Sequence, residues 1–496
     1  MFLYSMLVGL DVQSLLLFIF AFLLITDFLK NKNPKNFPPG PWGLPFIGNV
    51  FNIDTKQPHI YLTKLADVYG NVFSIRVGRE KAVFVMGYKM VKEALVNQAE
   101  NFVDRPHSPM MDRMDSGNGL IFSNGLLWKR QRRFTLSTLR NCGLGKKSLE
   151  SVIVEEAQFL QETLENEQGK PFDPHFILNN AVSNIICSMV FGHRFEYSDN
   201  HFQRLLKLLS EFFHLAGTIW AQLYEAFPAV MKLVPGPHNK IFSNYKELAV
   251  FVRKELEKHK EDWDPSAPQD YIDSYLAEIE KSKEDIVCSF HERNLVVCTL
   301  DLFLAGTETT STTLRWALLY MMKYPEIQEK VQAEIDRVIG QARPPSMADR
   351  ANMPYTDAVI HEVQRMGNII PLNIPKIALK DTTVGGYFIP KDTAVMAILT
   401  SVLFDKSEWQ TPDLFNPEHF LDSQGNFVRR EAFMPFSAGK RVCLGEQLAR
   451  MELFLFFTCF LQKFSFSSPP GVEPSMDGQF GGTRSPFPYK ICVTSR

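Results

Sequence analysis

The sequence lacks the cysteine and glycosylation patterns of a secreted protein. Its seven cysteines are an odd number, and no two of them stand in a Cys-x-x-Cys pair. A disulfide framework and a structural zinc site are therefore disfavoured. The chain also contains no Asn-x-Ser/Thr sequon, which favours a folded part that never enters the secretory lumen.

An excess of charge of either sign is missing as well. The 53 lysines and arginines nearly balance the 55 aspartates and glutamates, for a formal net charge of −2. This balance excludes nucleic-acid binding through bulk positive charge, and we expect no nucleic-acid partner. Hydrophobic residues make up 45% of the chain and include 41 phenylalanines, which indicates a folded protein that surrounds something apolar.

A long hydrophobic run is present at the N-terminus. Residues 12–29 are dominated by Leu, Phe and Ile and would span about 27 Å as a helix, enough for a thin bilayer core. The few polar side chains in this run are Gln13, Ser14, Thr26 and Asp27. Three lysines follow by residue 35 and none precedes the run, which places the bulk of the chain in the cytosol. A cleaved signal peptide is the alternative, but its basic start and small-residue cleavage site are missing.

The anchor over 1–29 is followed by a lysine- and proline-rich linker over 30–45, with four prolines in the nine residues FPPGPWGLP. Such a stretch forms a stiff extended connector. No repeat or low-complexity tract divides the rest, so 46–496 is predicted to be one helix-rich domain. Residues 71–86 predict a β-hairpin and 374–400 a short β-prone stretch. Helical periodicity is found at 124–140, 149–166, 175–191, 202–216, 240–262, 292–323, 325–339, 355–366 and 444–463.

The strongest chemical pattern is FSAGKRVCLG, which ends at Gly445. Cys443 precedes a predicted helix, where backbone N–H groups and the helix dipole stabilise a thiolate. Gly439 and Gly445 would let the backbone approach a flat cofactor, Phe436 could pack beside the sulfur, and Arg441 could reach a carboxylate. The usual interpretation of a lone cysteine, a small buried hydrophobe, is kept for the other six.

The spacing Phe-x-x-Gly-x-Arg-x-Cys-x-Gly resembles the haem-binding loop of the cytochromes P450. The resemblance implies a mainly α fold, a triangular helical prism with a small β region that encloses haem b. It also implies that the Cys443 thiolate is the axial iron ligand, which in this family favours O–O cleavage. The stretches NFPPGPW, PFDPHF and YPEIQEKVQAEIDRVIG are most similar to vertebrate microsomal family-2 enzymes, in the J-like branch known for arachidonic acid epoxygenation.

A second motif, AGTETT at 305–310, lies in a long apolar helix. Its mid-helix Gly306 costs about 1 kcal/mol relative to alanine and so calls for a reason. The resemblance supplies one: Ala305 and Gly306 would line the haem-side groove where dioxygen binds, and Glu308 and Thr309 would relay protons. Simple helix packing is the alternative.

Two further groups take their roles from the resemblance. Glu362 and Arg365, three residues apart, would form the buried Glu-x-x-Arg pair that braces the core, although a surface ion pair is the usual interpretation. Their third partner would be His419, where many family members have arginine. The haem propionates would be bound by the residues Trp128, Arg132, Arg441, Arg105 and Lys376. A lysine at 376 keeps the charge but loses the planar fork that arginine offers.

The substrate pocket is expected to be aliphatic, which suits long-chain or bulky apolar molecules. Its lining residues, carried over from the family, are Met110, Ile121, Leu304, Ala305, Ile369, Ile370 and Ile374. Branch resemblance favours polyunsaturated fatty acids such as arachidonate, with xenobiotics or steroids as the alternative. A reductase-independent haem-thiolate isomerase and a non-catalytic haem carrier are the competing function classes.

No flavin or nicotinamide fingerprint is present, so electrons must come from outside. The resemblance implies NADPH–cytochrome P450 reductase, with cytochrome b5 as a second donor, at the endoplasmic reticulum membrane. A basic cluster could dock an acidic reductase surface, or could be a solvated helix face: Lys129, Arg130, Arg133, Arg140, Lys146 and Lys147. The apolar segment 219–235 is predicted either to touch the membrane or to be a buried connector.

Overall fold

The computed structural model describes residues 12–78, 80–115, 117–283 and 289–496. Its α-helices are α1 (Val12–Lys30), α2 (Pro58–Tyr69), α3 (Gly87–Lys92), α4 (Pro109–Met114), α5 (Gly125–Asn141), α6 (Lys147–Glu165), α7 (His175–Val190), α8 (Asn200–Ala216), α9 (Ile219–Ala226), α10 (Pro228–Met231), α11 (His238–Asp262), α12 (Tyr271–Lys281), α13 (Glu292–Lys323), α14 (Pro325–Val338), α15 (Pro354–Gly367), α16 (Leu399–Leu403) and α17 (Glu446–Lys463). One 3-10 turn and one π turn that bear on the site are introduced below.

The strands are short and form one larger sheet and three pairs. They are β1 (Val72–Val77), β2 (Glu80–Val85), β3 (Lys376–Ile377), β4 (Thr382–Val384), β5 (Tyr387–Ile389), β6 (Ala394–Ala397), β7 (Phe464–Ser467), β8 (Gly478–Phe480), β9 (Arg484–Pro486) and β10 (Cys492–Ser495). The four-stranded sheet has the order β1-β2-β6-β3, and β4–β5, β7–β10 and β8–β9 pair separately. The antiparallel β1–β2 pair, with Val72 opposite Val85, confirms the predicted hairpin.

Helix α13 is the centre of the molecule. It is apolar on most of its circumference, and such a helix is stable only when it is surrounded by protein. Accordingly it packs against α7, α11, α15 and α17, and its N-terminus is capped by His291, whose side chain accepts the Asn294 N–H. This helix carries the AGTETT motif. The loop that contains Cys443 leads directly into α17, so both chemical motifs are positioned by helices of the packed core.

The proline-rich connector is held against the sheet. The Ser74 N–H donates to the Pro39 carbonyl at 2.7 Å, and the Ser74 hydroxyl donates to the Pro38 carbonyl at 2.9 Å. Gly40 passes so close that a Cβ there would lie 1.8 Å from the Ser74 carbonyl oxygen. The connector is therefore held against the sheet from Pro38 onward.

Several elements escaped sequence prediction. Helices α2 and α12 and the strands β7–β10 had no expected counterpart, because they are short and their hydrophobic periodicity covers too few residues. α12 does carry a local start signal, since the Asp270 carboxylate caps it by accepting the Asp273 N–H at 3.0 Å.

Candidate active site

Cys443 lies in the loop between the 3-10 turn Gly439–Arg441 and α17. Its N–H donates to the Phe436 carbonyl at 3.0 Å, and the backbone N–H groups of Gly445 and Glu446 point to its sulfur. Burial of the loop among protein atoms raises the pKa of the Cys443 thiol, and the Gly445 N–H opposes that rise. The side chain itself remains accessible. A coordinating metal removes the proton from such a thiol outright.

Gly439 is required by a close backbone contact. It has φ +78°, and a Cβ there would lie 1.9 Å from the carbonyl oxygen of Leu95, which belongs to the π turn Glu93–Asn97. The predicted reason for this glycine was an approach to a flat cofactor. The structure adds a second one, because the space that a side chain would need is taken by the neighbouring backbone.

Four cationic side chains converge beside the Cys443 loop. Arg441 donates from Nε to the Val103 carbonyl at 2.6 Å, and its guanidinium lies 3.9 Å from the Trp128 ring centroid. Arg132 donates to the Val442 carbonyl at 2.6 Å. The other two cations, Arg105 and Lys376, donate to the Ile374 carbonyl at 3.2 and 3.3 Å.

This cation cluster lacks matching negative charge within the described chain. The carboxylate that faces it is Asp104, 3.8 Å from Arg441. Burial and mutual repulsion lower the pKa of Arg441 to about 9 and that of Arg105 to about 10, and lower the pKa of Lys376 well below its usual value. Nearby, the buried Trp128 Nε1 has no hydrogen-bond partner among the described residues. Buried cations and an unused donor together call for an anionic ligand.

The AGTETT motif presents a narrow stripe on the otherwise buried α13. Ala305, Gly306 and Thr309 are partly exposed, whereas Thr307 and Glu308 are buried. The Thr309 hydroxyl donates to the Ala305 carbonyl at 2.8 Å, which leaves its oxygen free to accept. Positions 305 and 309 share one helix face, so this face forms a wall that includes a hydroxyl.

Gly306 has a packing reason. A Cβ at this position would lie 3.2 and 3.3 Å from side-chain atoms of Ile186 on α7. The missing side chain therefore lets α7 approach α13, as the helix-packing alternative expects.

Glu308 points away from that stripe into a polar environment. Its Oε1 accepts the Thr312 and Thr483 hydroxyls at 3.2 and 3.0 Å, and its buried Oε2 has no partner among the described residues. Burial raises the pKa of Glu308 to about 7, although the Thr483 hydroxyl and the Arg315 charge oppose that rise. A small polar cleft adjoins it, lined in part by His175, Ser210, His214 and Arg315. Glu308 can therefore exchange a proton near neutral pH.

The Glu-x-x-Arg pair is buried. Arg365 donates from Nη2 and Nε to the Glu362 carboxylate at 2.7 and 2.8 Å, and both side chains are 0% exposed. The Thr411 N–H donates to Nε2 of His419 at 3.2 Å, so the ring proton sits on Nδ1, which faces Glu362 at 3.2 Å. His419 thus occupies the place of the expected third partner.

One residue of the site was missed from the sequence. The Asp301 carboxylate on α13 accepts the N–H groups of Leu120 and Ile121 at 2.6 and 3.1 Å. It thereby fixes the loop whose Ile121 carbonyl accepts from Arg105 at 3.0 Å. Burial raises the pKa of Asp301 to about 7. An acidic residue inside an apolar stretch of the helix was the available signal.

The expected pocket residues fall into two groups. Ile121 and Ile374 meet at the cation cluster, since both carbonyls accept from Arg105, and Ile369 and Ile370 are also partly buried. Leu304 and Met110 are buried, and Met110 packs into an apolar cluster with side chains of α8, α9 and α11.

Comparison with known proteins decides the family. The family model for cytochrome P450 matches residues 38–493. The chain is a cytochrome P450. It is 57% identical to cytochrome P450 2J2 of Homo sapiens over 481 residues, which cover 97% of this chain and 96% of that protein. It is 54% identical to cytochrome P450 2J1 of Oryctolagus cuniculus over 98% of this chain and 97% of that protein, and 47% identical to cytochrome P450 2B19 of Mus musculus over 95% and 98%.

Membership of this family confirms the predicted mainly α fold and the predicted monooxygenase activity. A cytochrome P450 requires haem with a cysteine thiolate ligand, dioxygen and NADPH-derived electrons. The residues present fit that cofactor. An accessible cysteine sulfur, four clustered cations and the unused Trp128 N–H match a metal-bound ring that carries two carboxylates.

Proposed function

We propose that this cytochrome P450 oxidises long-chain polyunsaturated fatty acids such as arachidonate, by epoxidation or hydroxylation. The observation that carries the proposal is the full-length similarity to the J branch of family 2, together with the aliphatic character of the expected pocket. An aliphatic pocket would also accept xenobiotics or steroids, which form the second candidate class.

The deciding experiment incubates membranes that contain the full chain with reductase, NADPH and arachidonate, and identifies products by mass spectrometry. We expect oxygenated fatty acids that depend on NADPH. Turnover of a steroid or a bulky xenobiotic without any arachidonate product would favour the second class. Products formed without NADPH would point to an isomerase, and absence of NADPH-dependent oxygen uptake to a haem carrier.

The residues have distinct roles in this proposal. Bound haem supplies the activation of dioxygen. Cys443 holds the iron, and Trp128, Arg132, Arg441, Arg105 and Lys376 bind the two propionates. Glu308 takes protons from the polar cleft beside Arg315 and passes them toward Thr309 on the haem side of α13. Glu362, Arg365 and His419 brace the core.

Replacement of Thr309 with alanine is expected to uncouple the reaction. Without the hydroxyl, protons reach the oxygen site less directly, so peroxide released per NADPH consumed should rise severalfold while product falls. Thr313→Ala is the matched control, because its hydroxyl also donates to the carbonyl four residues back, at 2.8 Å. Equal coupling in both variants would remove Thr309 from the relay.

The pH profile tests Glu308. Its carboxyl donates a proton only while protonated, and its pKa is raised to about 7, so coupled product formation should fall as the pH rises through 7. The Glu308→Gln variant should lose most of its coupled turnover, and what remains should no longer fall as the pH rises through 7. Thr483→Val removes a hydroxyl that lowers the pKa of Glu308 and should move the step to higher pH. A wild-type profile in Thr483→Val would contradict the assignment.

We also propose that electrons enter from NADPH–cytochrome P450 reductase, or from cytochrome b5, at the basic cluster. Lys129, Arg133, Arg140, Lys146 and Lys147 are exposed, and Arg130 is half-buried. The turn at 143–147 adjoins the helix that follows Cys443, since a Cβ on Gly145 would lie 2.2 Å from the side chain of Gln447. The basic cluster therefore lies on the Cys443 side, which suits electron delivery to the iron.

Charge reversal checks this docking proposal. Lys129→Glu combined with Arg133→Glu should raise the reductase concentration needed for half-maximal rate about tenfold at low salt, and less at high salt. Lys254→Glu, an exposed reversal on α11, is the control. An unchanged reductase requirement in the double variant would contradict docking here.

Finally, we propose that residues 1–29 anchor the chain in the endoplasmic reticulum membrane, with 30–45 as linker and 46–496 as the catalytic domain on the cytosolic face. Within the described residues, one helix is long and apolar enough to cross a membrane, Gln13–Lys30. The segment 219–235 has a dual character: Ala221, Tyr224 and Met231 are buried, whereas Val230 and Leu233 are exposed. Its exposed part is available for membrane contact.

A further inference from the structure

Asp27 is an unusual residue in the apolar helix α1. An ionisable side chain in a membrane-spanning segment is costly and needs a partner. Its partner here is Arg76 of strand β1, whose Nη2 lies 2.7 and 3.0 Å from the two carboxylate oxygens. The Asp27 and Arg76 side chains are only 8% and 13% exposed, so this ion pair is shielded from water.

Arg76 also belongs to a dense set of backbone hydrogen bonds. Its Nε donates to the Gly78 carbonyl at 2.8 Å. Its own N–H donates to the Asn49 side chain at 3.1 Å, and the Asn49 N–H donates back to the Arg76 carbonyl at 2.6 Å. The Phe46 N–H donates to Asp27. The end of α1 is therefore bound to both the β1–β2 hairpin and the loop at 42–49.

A second contact lies close by. Lys81 of β2 donates to the Asn31 carbonyl at 2.5 Å and to the Asn33 side chain at 2.6 Å. Two strands of the same hairpin thus hold the last residues of α1 and the first residues after it. A helix that is held at two points resists rotation relative to the domain, whereas a helix held at one point does not.

Exposed apolar side chains surround the junction, the place where the end of α1 meets the β1–β2 hairpin. The hairpin tip at Gly78 adjoins the end of α9, since a Cβ there would lie 3.5 Å from the Ala226 carbonyl oxygen. The chain continues from there through α10 to Leu233, which is 85% exposed. In the loop at 42–49, Trp42 is 78% exposed, and its carbonyl accepts from Asn49 at 2.9 Å. Val230 and Leu44 are exposed as well. We call Trp42, Leu44, Val230 and Leu233 the junction patch.

We propose that Asp27 and Arg76 form a clamp that fixes the angle between the anchor helix and the catalytic domain and so lays the junction patch on the bilayer surface. The occupant of the patch is lipid, because the helix that enters the bilayer leaves the domain at this junction. Trp and aliphatic side chains are the types that favour the membrane interface. The inference rests on the membrane anchoring by α1 proposed above.

The test uses the full-length chain, loaded with haem, in phospholipid nanodiscs, and measures amide hydrogen exchange by mass spectrometry. Asp27→Asn and Arg76→Gln should each speed exchange in peptides covering 46–49 and 76–78 about tenfold. Both variants should also weaken the protection from amide hydrogen exchange that the bilayer gives to residues 228–234. The reciprocal variant Asp27→Arg with Arg76→Asp restores the pair and should return both peptides toward wild type. Arg204→Gln, which removes an exposed ion pair to Glu247, is the matched control.

The outcomes separate the clamp from the anchoring on which it rests. Wild-type exchange in both single variants, or a reciprocal variant no better than they are, would overturn the clamp while the chain stays in the nanodisc. Loss of bilayer protection at 228–234 in the wild type would overturn the contact of the junction patch with lipid. Failure of the wild-type chain to enter nanodiscs would overturn the anchoring and the clamp together.

Discussion

Replacement of Cys443 with serine is expected to abolish turnover, down to the background measured without enzyme. A serine hydroxyl keeps its proton at neutral pH, so the iron would lose its anionic sulfur ligand and the electron donation that favours O–O cleavage. The far-shifted Soret band of the reduced carbon monoxide complex should disappear with it. The measurement is a carbon monoxide difference spectrum of the purified variant, beside NADPH-dependent oxygen uptake.

The matched control for this change is Cys492→Ser, because Cys492 is partly exposed in β10 and has no expected contact with the cofactor. It should keep the shifted band and wild-type turnover. A Cys443→Ser protein that still showed the shifted band would mean that another group ligates the iron. The assignment of the FSAGKRVCLG loop, and the site built around it, would then be wrong.

The parts of the site that could be predicted are those set by local spacing. Glu362 and Arg365 are one helical turn apart, so their pairing follows from the sequence once the helix is assigned. Trp128 and Arg132 likewise share a face of α5, and the structure places both at the cation cluster. Family resemblance added what spacing alone lacks, namely which ligand such a cluster binds.

Other features depend on neighbours that are distant in the chain. A side chain at Gly306 would crowd Ile186, and one at Gly439 would clash with the carbonyl of Leu95. Neither contact can be read from the residues near the glycine, so helix packing at Gly306 was an alternative without a named partner, and the backbone contact at Gly439 was not foreseen. Asp301 was missed because its partners, the N–H groups of Leu120 and Ile121, belong to a loop without periodicity. Long-range packing overrides local pattern at these positions.

The same distinction holds for the fold. The long helices α11, α13 and α17 were predicted nearly to their ends, because each carries many turns of apolar repeat. The C-terminal strands β8 and β9 have three residues each, too few to show alternation. Their position is set by tertiary contacts, among them the hydrogen bond from the Arg484 N–H to the Ile369 carbonyl at 2.8 Å.

The second large effect is expected at the buried Glu-x-x-Arg pair. Glu362→Gln would leave the Arg365 guanidinium buried without its counter-charge, which costs about 3–5 kcal/mol when one member of a buried ion pair is lost. Arg365 also donates to the carbonyls of Leu403, Pro412 and Leu414 at 2.7–2.9 Å, so the loss would loosen the chain that leads toward the Cys443 loop. We expect a lower urea midpoint by far-UV circular dichroism and reduced haem retention.

Two companion variants separate charge from geometry at this pair. Arg365→Lys keeps the positive charge but cannot span the carboxylate and three carbonyls at once, so it should also destabilise the fold, by less than Glu362→Gln. Glu247→Gln breaks an exposed pair with Arg204 and should change the free energy of unfolding by less than about 1 kcal/mol. If Glu362→Gln unfolded at the same urea concentration as Glu247→Gln, the Glu362–Arg365 ion pair would not contribute to the stability of the fold. The brace would then have to come from the carbonyl contacts of Arg365 alone.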